Sequence, residues 1–285
     1  MKKLFTTLLP LSFALLAVSC KDNAAETAVS LTPQQKYERA AALLKPNAEH
    51  EKPDYTGAFA LLKQSADAGY LPAMLDLAGV YLEGSRDGSV KKDRQLALQL
   101  YTRAAQLGSA DAQYYCAFIL LQEKKTDEAL PYLRSAAQAG LPEAQYRLGR
   151  ILQQNNNPEA LPLIRMAATS QRASVVAAAA YTMATIYQEG MLGQAASMPE
   201  AIEWYQRSAN AGDPRAQHLV GLMYILGENL PLDEKKGETL LRLSAGQDYL
   251  PAIDALVRYL FDKDSTAHAD EIRAWADRLQ KLQKK

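Results

Sequence analysis

One alanine sets the frame of this chain. Ala73, Ala112, Ala144, Ala179, Ala216 and Ala252 succeed each other at intervals of 39, 32, 35, 37 and 36 residues. Five of them close a similar break in the pattern: AGYLPA (68–73), LGSADA (107–112), AGLPEA (139–144), AGDPRA (211–216) and QDYLPA (247–252). A period of that length belongs to arrays of stacked supersecondary units, none of which buries its apolar face alone. The break also tells which units these are. Gly69, Gly108, Gly140 and Gly212 stand where a helix ends in a left-handed residue, and Pro72, Pro142, Pro214 and Pro251 suit the first turn of the next helix.

Both flanks of the break have helical spacing. The helix before it, helix B, carries a small residue (Ala58, Ala97, Ala129, Ala160, Ala201, Gly237) and then, three positions on, an apolar pair. The pairs are Leu61-Leu62, Leu100-Tyr101, Tyr132-Leu133, Leu163-Ile164, Trp204-Tyr205 and Leu240-Leu241, each followed by a further alanine. The helix after the break, helix A, sets a larger apolar residue beside a small one, as in Leu77-Ala78, Leu148-Gly149 and Val220-Gly221. Such spacings put one apolar stripe on each helix. They predict an all-α chain of helical hairpins stacked side by side.

Ala144 to Leu152 (AQYRLGRIL), Glu200 to Gly212 (EAIEWYQRSANAG), YLEG (81–84) and YQEG (187–190) together resemble the Sel-one-like repeat, a relative of the tetratricopeptide repeat. The resemblance covers about residues 55–262 and implies a right-handed α/α superhelical solenoid. The count is about seven hairpins, or fourteen helices, over residues 33–285. TPQQKYERAAALLK (32–45) is the expected first helix, and Ile272, Trp275, Leu279 and Leu282 give 267–285 the single apolar face of a capping helix. The break after Ala168 lacks glycine and gains four residues within TSQRASVV, which predicts an altered superhelical pitch near 169–176.

The first residues are read apart from the fold. MKKLFTTLLPLSFALLAVSC has a basic start, an apolar stretch from Leu4 to Val18 containing Pro10, and small residues leading to Cys20. The stretch is shorter than the roughly 20 apolar residues a membrane span requires. It resembles a bacterial lipoprotein signal peptide over residues 1–19; the alternative is an ordinary signal peptide with an incidental cysteine. The resemblance implies cleavage before Cys20, lipidation of that cysteine and a membrane anchor. Lys21, where an aspartate would favour the inner membrane, implies the outer membrane and a body facing the periplasm. Residues 20–32 then serve as lipidated cysteine and tether, from a small, polar run. Cys116 is the one cysteine left in the mature chain, so the fold stands without an internal disulfide.

Little in the chain calls for catalysis. Apolar residues make up 48 % and charged residues 22 %, with 32 basic against 32 acidic side chains. There is no basic stripe with interleaved aromatics for nucleic acid. His50, His218 and His268 have no ligand partner at metal spacing, and no HExxH, CxxC, GxSxG or phosphate-binding glycine loop occurs. Cys116 falls at a core position filled elsewhere by Leu77, Leu148 and Val220, as a small buried hydrophobe. No enzymatic activity, cofactor, metal or small-molecule substrate is expected.

A solenoid's helix A side chains face its concave surface, which makes them the candidates for binding. Tyr146, Tyr181 and His218 share one register position with Tyr114. Arg150, Gln153, Thr185, Gln188, Leu222 and Ile225 extend the same surface, and Phe118 and Leu121 make it more apolar toward the N-terminal half. Aromatic residues and arginine are the types that anchor interfaces, though at these positions they also serve packing. The expected role is a lipid-anchored scaffold that holds a protein of the cell envelope in its groove. The alternative comes from resemblance alone: lipoproteins of this kind include periplasmic immunity proteins that neutralise type VI secretion lipase or other toxin effectors.

Overall fold

The computed structural model describes residues 31–45 and 53–284. The signal peptide, Cys20, most of the tether and His50 lie outside them. Fourteen α-helices and no strand occur among the described residues: α1 (Pro33–Leu43), α2 (Tyr55–Asp67), α3 (Leu71–Glu83), α4 (Arg94–Gln106), α5 (Ala110–Gln122), α6 (Thr126–Gln138), α7 (Pro142–Gln154), α8 (Ala160–Ala168), α9 (Ala173–Glu189), α10 (Met198–Asn210), α11 (Pro214–Leu226), α12 (Glu234–Gly246), α13 (Leu250–Asp264) and α14 (Ala269–Gln283). Each packs on its neighbours in the chain, which makes a solenoid of seven hairpins. Odd-numbered helices are A, even-numbered are B.

The breaks are Schellman motifs. Gly69, Gly108, Gly140 and Gly212 have φ of 89°, 86°, 86° and 97°. At the first, the Gly69 amide donates to the Ala66 carbonyl and the Tyr70 amide to that of Ser65, and the other three repeat the pattern. Asp248 takes the same conformation at φ 64°, where the sequence offers no glycine. A side chain completes two of these ends. Buried Gln145 and Gln217 donate back to the carbonyls of Ala137 and Ala209, at 3.3 and 3.2 Å, adding a second donor to oxygens that already accept the Gly140 and Gly212 amides.

The predicted stripes form the core. Ala97, Ala129, Ala160 and Ala201 are fully buried, as are Leu133, Ile164 and Leu241 of the apolar pairs. Close approach explains the small residues. A Cβ at Gly237 would stand 2.6 Å from the Gly221 carbonyl oxygen of α11 and 2.6 Å from Ile225. Buried serines pin three hairpins together: Ser65, Ser208 and Ser244 donate to the carbonyls of Pro33, Ala177 and Pro214 at 2.5, 2.7 and 2.6 Å.

The break after Ala168 resolves in an instructive way. Helices α3, α5, α7 and α11 have 13 residues each, and α9 has 17. Counted from the framing alanine, α9 ends in register with the others, so its extra residues form one additional N-terminal turn. In place of a glycine cap, Arg207 Nε donates to the Ala168 carbonyl at 2.9 Å.

At the other end, α14 has no buried residue but lays Ile272, Trp275, Leu279 and Leu282 on the last core cluster. Arg242 of α12 grips Glu271 through both carboxylate oxygens. Arg278 pairs with Asp248 at 2.7 Å.

Two stability predictions follow from this packing. Gly237→Ala is expected to lower the thermal midpoint by a few degrees in circular dichroism. Overpacking against backbone costs about 1–3 kcal/mol, which exceeds the roughly 1 kcal/mol that alanine adds to a helix. An unchanged or raised midpoint contradicts the close approach. The second concerns pH. The Arg242 hydrogen bond holds the Glu271 carboxyl below its usual value. Its contribution is therefore present above the unfolded carboxylate pKa of about 4.3 and is lost as pH falls through the lower folded value. In a Trp204→Phe background, Trp275 emission should shift red on acidification before bulk helicity falls; coincident changes contradict the prediction.

Candidate binding surface on the helix A face

The helix A candidates divide between two neighbourhoods. The first joins α7 to α9 through Thr182, whose side chain is 1 % exposed. Thr182 Oγ1 donates to the Ala178 carbonyl at 3.1 Å, so it accepts from the Tyr146 hydroxyl at 3.2 Å and from Arg150 Nη1 at 3.3 Å. Tyr146 is half-buried by this contact, while Arg150 stays exposed with the rest of its guanidinium free to donate. Gln153 is half-buried with its amide nitrogen 4.0 Å from Met191 Sδ. Thr185 turns its hydroxyl to the Thr182 carbonyl at 2.8 Å. Gln188 is exposed and accepts from the Tyr205 hydroxyl at 2.8 Å.

The second neighbourhood, around α11, is occupied by its own contacts. The Tyr181 ring packs edge-on to Tyr205 at 5.4 Å and beneath the Arg215 guanidinium at 3.9 Å. Arg215 is itself held by both oxygens of Asp213, at 3.1 and 2.6 Å. His218 lies edge-on to Tyr249 at 5.7 Å, and burial lowers its pKa, favouring the neutral ring. Leu222 and Ile225 pack against the core cluster of α12 and α13. Phe118 and Leu121, the apolar counterparts of Arg150 and Gln153, are half-buried against the cores beneath them.

Between the A helices α5, α7 and α9 runs a cleft of about 500 Å³. Tyr114, Tyr146 and Arg150 line it, together with residues that the sequence did not single out, among them Arg147, Ser174 and Ala178. Arg147 was legible, since it lies three residues before Arg150 and so on the same helix face. Ser174 was not, because it belongs to the extra turn of α9 that the repeat pattern does not contain.

The chemistry of reactive groups is sparse. No group of three or more His, Cys, Asp or Glu residues is placed to hold a metal among the described residues. Cys116 is fully buried, and burial pushes its thiol up to about 11, leaving it protonated and inert. No described helix is long and apolar enough to cross a membrane.

Comparison with known proteins agrees with this architecture. The Sel1 repeat matches residues 49–70, 71–109, 142–155, 177–213 and 214–249. The unmatched stretches include 110–141 and the extra turn of α9. An uncharacterised protein of Neisseria meningitidis serogroup B is 29 % identical over 209 residues, which is 73 % of this chain and 43 % of that protein. The chain thus spans less than half of this relative's length. Among solved structures, a protective antigen of uropathogenic Escherichia coli strains displaying an SLR fold superposes with a TM-score of 0.71 at 22 % identity, over 87 % of this chain and 53 % of that one. A Sel1 repeat protein from Oxalobacter formigenes gives 0.70 at 24 % identity, over 87 % and 72 %. At such identities the structures speak to fold alone. With Sel1 repeats over more than half of its length and the matching solenoid, the chain belongs to the Sel1-repeat family.

Proposed function

We propose that the protein is a non-catalytic, lipid-anchored scaffold that faces the periplasm from the outer membrane and binds a protein partner across the helix A face of α7 and α9. The observation that carries the reading is the set of side chains left with free donors over a cleft of about 500 Å³, Arg150 foremost, on an array of helical repeats. Arginine and tyrosine at the centre of such a surface are the residue types that carry binding energy. The anchor rests on the sequence around Cys20.

Two experiments test the two halves of this reading. Cys20→Ser is expected to move the protein from the membrane fraction to the soluble periplasmic fraction and to abolish incorporation of labelled fatty acid. Continued membrane association rejects the anchor. For the groove, the tagged, membrane-anchored protein is used to capture its partner, which mass spectrometry identifies. Arg150→Ala, Gln153→Ala and Gln188→Ala together should then weaken that partner's binding by at least about a hundredfold, on the basis of about 1–2 kcal/mol lost per interfacial side chain. Helicity should be unchanged; retained binding rejects the surface. A lipase-like or otherwise toxic partner in stoichiometric amount would turn the assignment to an immunity protein, whereas assembly or secretion components of the envelope would fit a scaffold.

A further inference from the structure

Two arginines on α7 differ from the paired cations of α11, α13 and the start of α9. Arg215 is held by Asp213 at 2.6 Å, Arg258 by Asp254 at 2.9 Å, Lys263 by Glu238 at 2.8 Å and Arg172 by Glu143 at 2.5 Å. Arg147 and Arg150 form no ion pair among the described residues. What holds them is neutral. Arg147 lies over the Phe118 ring at 5.9 Å, and Arg150 donates one bond to Thr182 at 3.3 Å.

Both guanidinium groups line the cleft between α5, α7 and α9. The single carboxylate among its lining residues is Glu143, which Arg172 already neutralises. In a chain whose formal charge sums to zero, the cleft therefore keeps two uncompensated positive charges side by side. The extra turn of α9 supplies Ser174 and Val175 to its wall, so the cleft is built where the chain departs from its own repeat. Thr182 is buried and anchored by its bond to the Ala178 carbonyl, so Arg150 is oriented before any ligand arrives.

We propose that this cleft receives an acidic, extended segment of the partner protein, with carboxylates at alternate positions of the segment meeting Arg147 and Arg150. The inference rests on the reading of the helix A face as the partner surface. The spacings agree. Alternate side chains of an extended strand are about 7 Å apart, and Cβ atoms three residues apart on a helix are about 5–6 Å apart. Planar guanidinium forks match carboxylates through paired hydrogen bonds, and pairs recessed in a cleft are screened less than those on an open surface. Binding should accordingly weaken as salt rises.

The test uses the full-length protein and two octapeptides, one alternating glutamate with serine and one alternating glutamine with serine, each at millimolar concentration. The side-chain Nε–Hε resonances of Arg147 and Arg150 are followed by nuclear magnetic resonance. Both should shift with the glutamate peptide and stay in place with the glutamine peptide. Arg147→Gln/Arg150→Gln should weaken the glutamate peptide by at least roughly tenfold, given the strength of hydrogen bonds to charged groups. Arg39→Gln/Arg103→Gln, which makes the same change in net charge at exposed sites elsewhere, should leave its binding unchanged. The proposal is overturned if neither arginine shifts, if both peptides shift them alike, or if the distant pair of substitutions weakens binding as much. A partner released by the Arg150, Gln153 and Gln188 substitutions alongside a silent glutamate peptide would retain the surface and remove only its acidic occupant.

Discussion

At Gly237 the backbone of α12 comes so near that of α11 that one added carbon would meet a carbonyl oxygen at 2.6 Å. The same constraint acts in milder form along the array, where Ala97, Ala129, Ala160 and Ala201 are wholly buried against the preceding A helix. Two helices this close leave no room for large side chains at the crossing, so the bulk of the core has to come from the positions one turn away: Leu133, Ile164 and Leu241. Neither half of that arrangement works alone. A hairpin without its neighbour would expose the larger apolar residues that the small ones make room for. Stability is therefore a sum over neighbouring interfaces, and the two ends need elements that are apolar on one side only. Helix α14, with no buried residue and a face of Ile272, Trp275, Leu279 and Leu282, is built for that position.

A rule so strict about packing leaves little latitude for function within it. The place where the chain relaxes the rule is the passage from α8 to α9. The glycine is absent, Arg207 reaches across to bond the buried carbonyl of Ala168, and four added residues become one more helical turn rather than a loop. Adding close to a whole turn keeps the stripe of α9 in phase with its neighbours, so the core is undisturbed while one helix projects farther than the others. That projection walls the cleft beside Arg147 and Arg150. The stretches that the Sel1 repeat leaves unmatched include this turn and all of α5 and α6, so two sides of the cleft come from atypical sequence.

The division between what could and could not be read from residues alone has a physical basis. Breaks, stripes and caps were legible because each is a local demand: positive φ at Gly69 or Gly212, and an amide-free proline at Pro142 or Pro214. Asp248 shows the limit even there, since aspartate adopts the left-handed turn without announcing it. Bonds that cross between helices, such as Ser208 to Ala177 or Tyr146 to Thr182, depend on which rotamer meets which neighbour some thirty residues away, and no local pattern encodes that. The candidate surface suffered from the same blindness. Leu222 and Ile225 share a register with Arg150 and Gln153, yet they pack on the core of α12 and α13, because apolar side chains at the edge of a groove turn toward whatever buries them.

This difference along the helix A face bears on where a partner gains most. Arg215 is bound by two charge-assisted hydrogen bonds to Asp213 and stacked on Tyr181, so a partner would have to displace those contacts before using it. Arg147 and Arg150 have no carboxylate to give up among the described residues. For them the opposing cost is the removal of water from two half-open guanidinium groups, and a carboxylate arriving in the cleft replaces that water with a stronger acceptor. The net return on a charged contact depends on what it replaces, and here an identical residue type is worth little at α11 and more at α7. A partner that recognises charge is thus drawn to the middle of the array, over the added turn of α9, whatever the length of solenoid it goes on to cover.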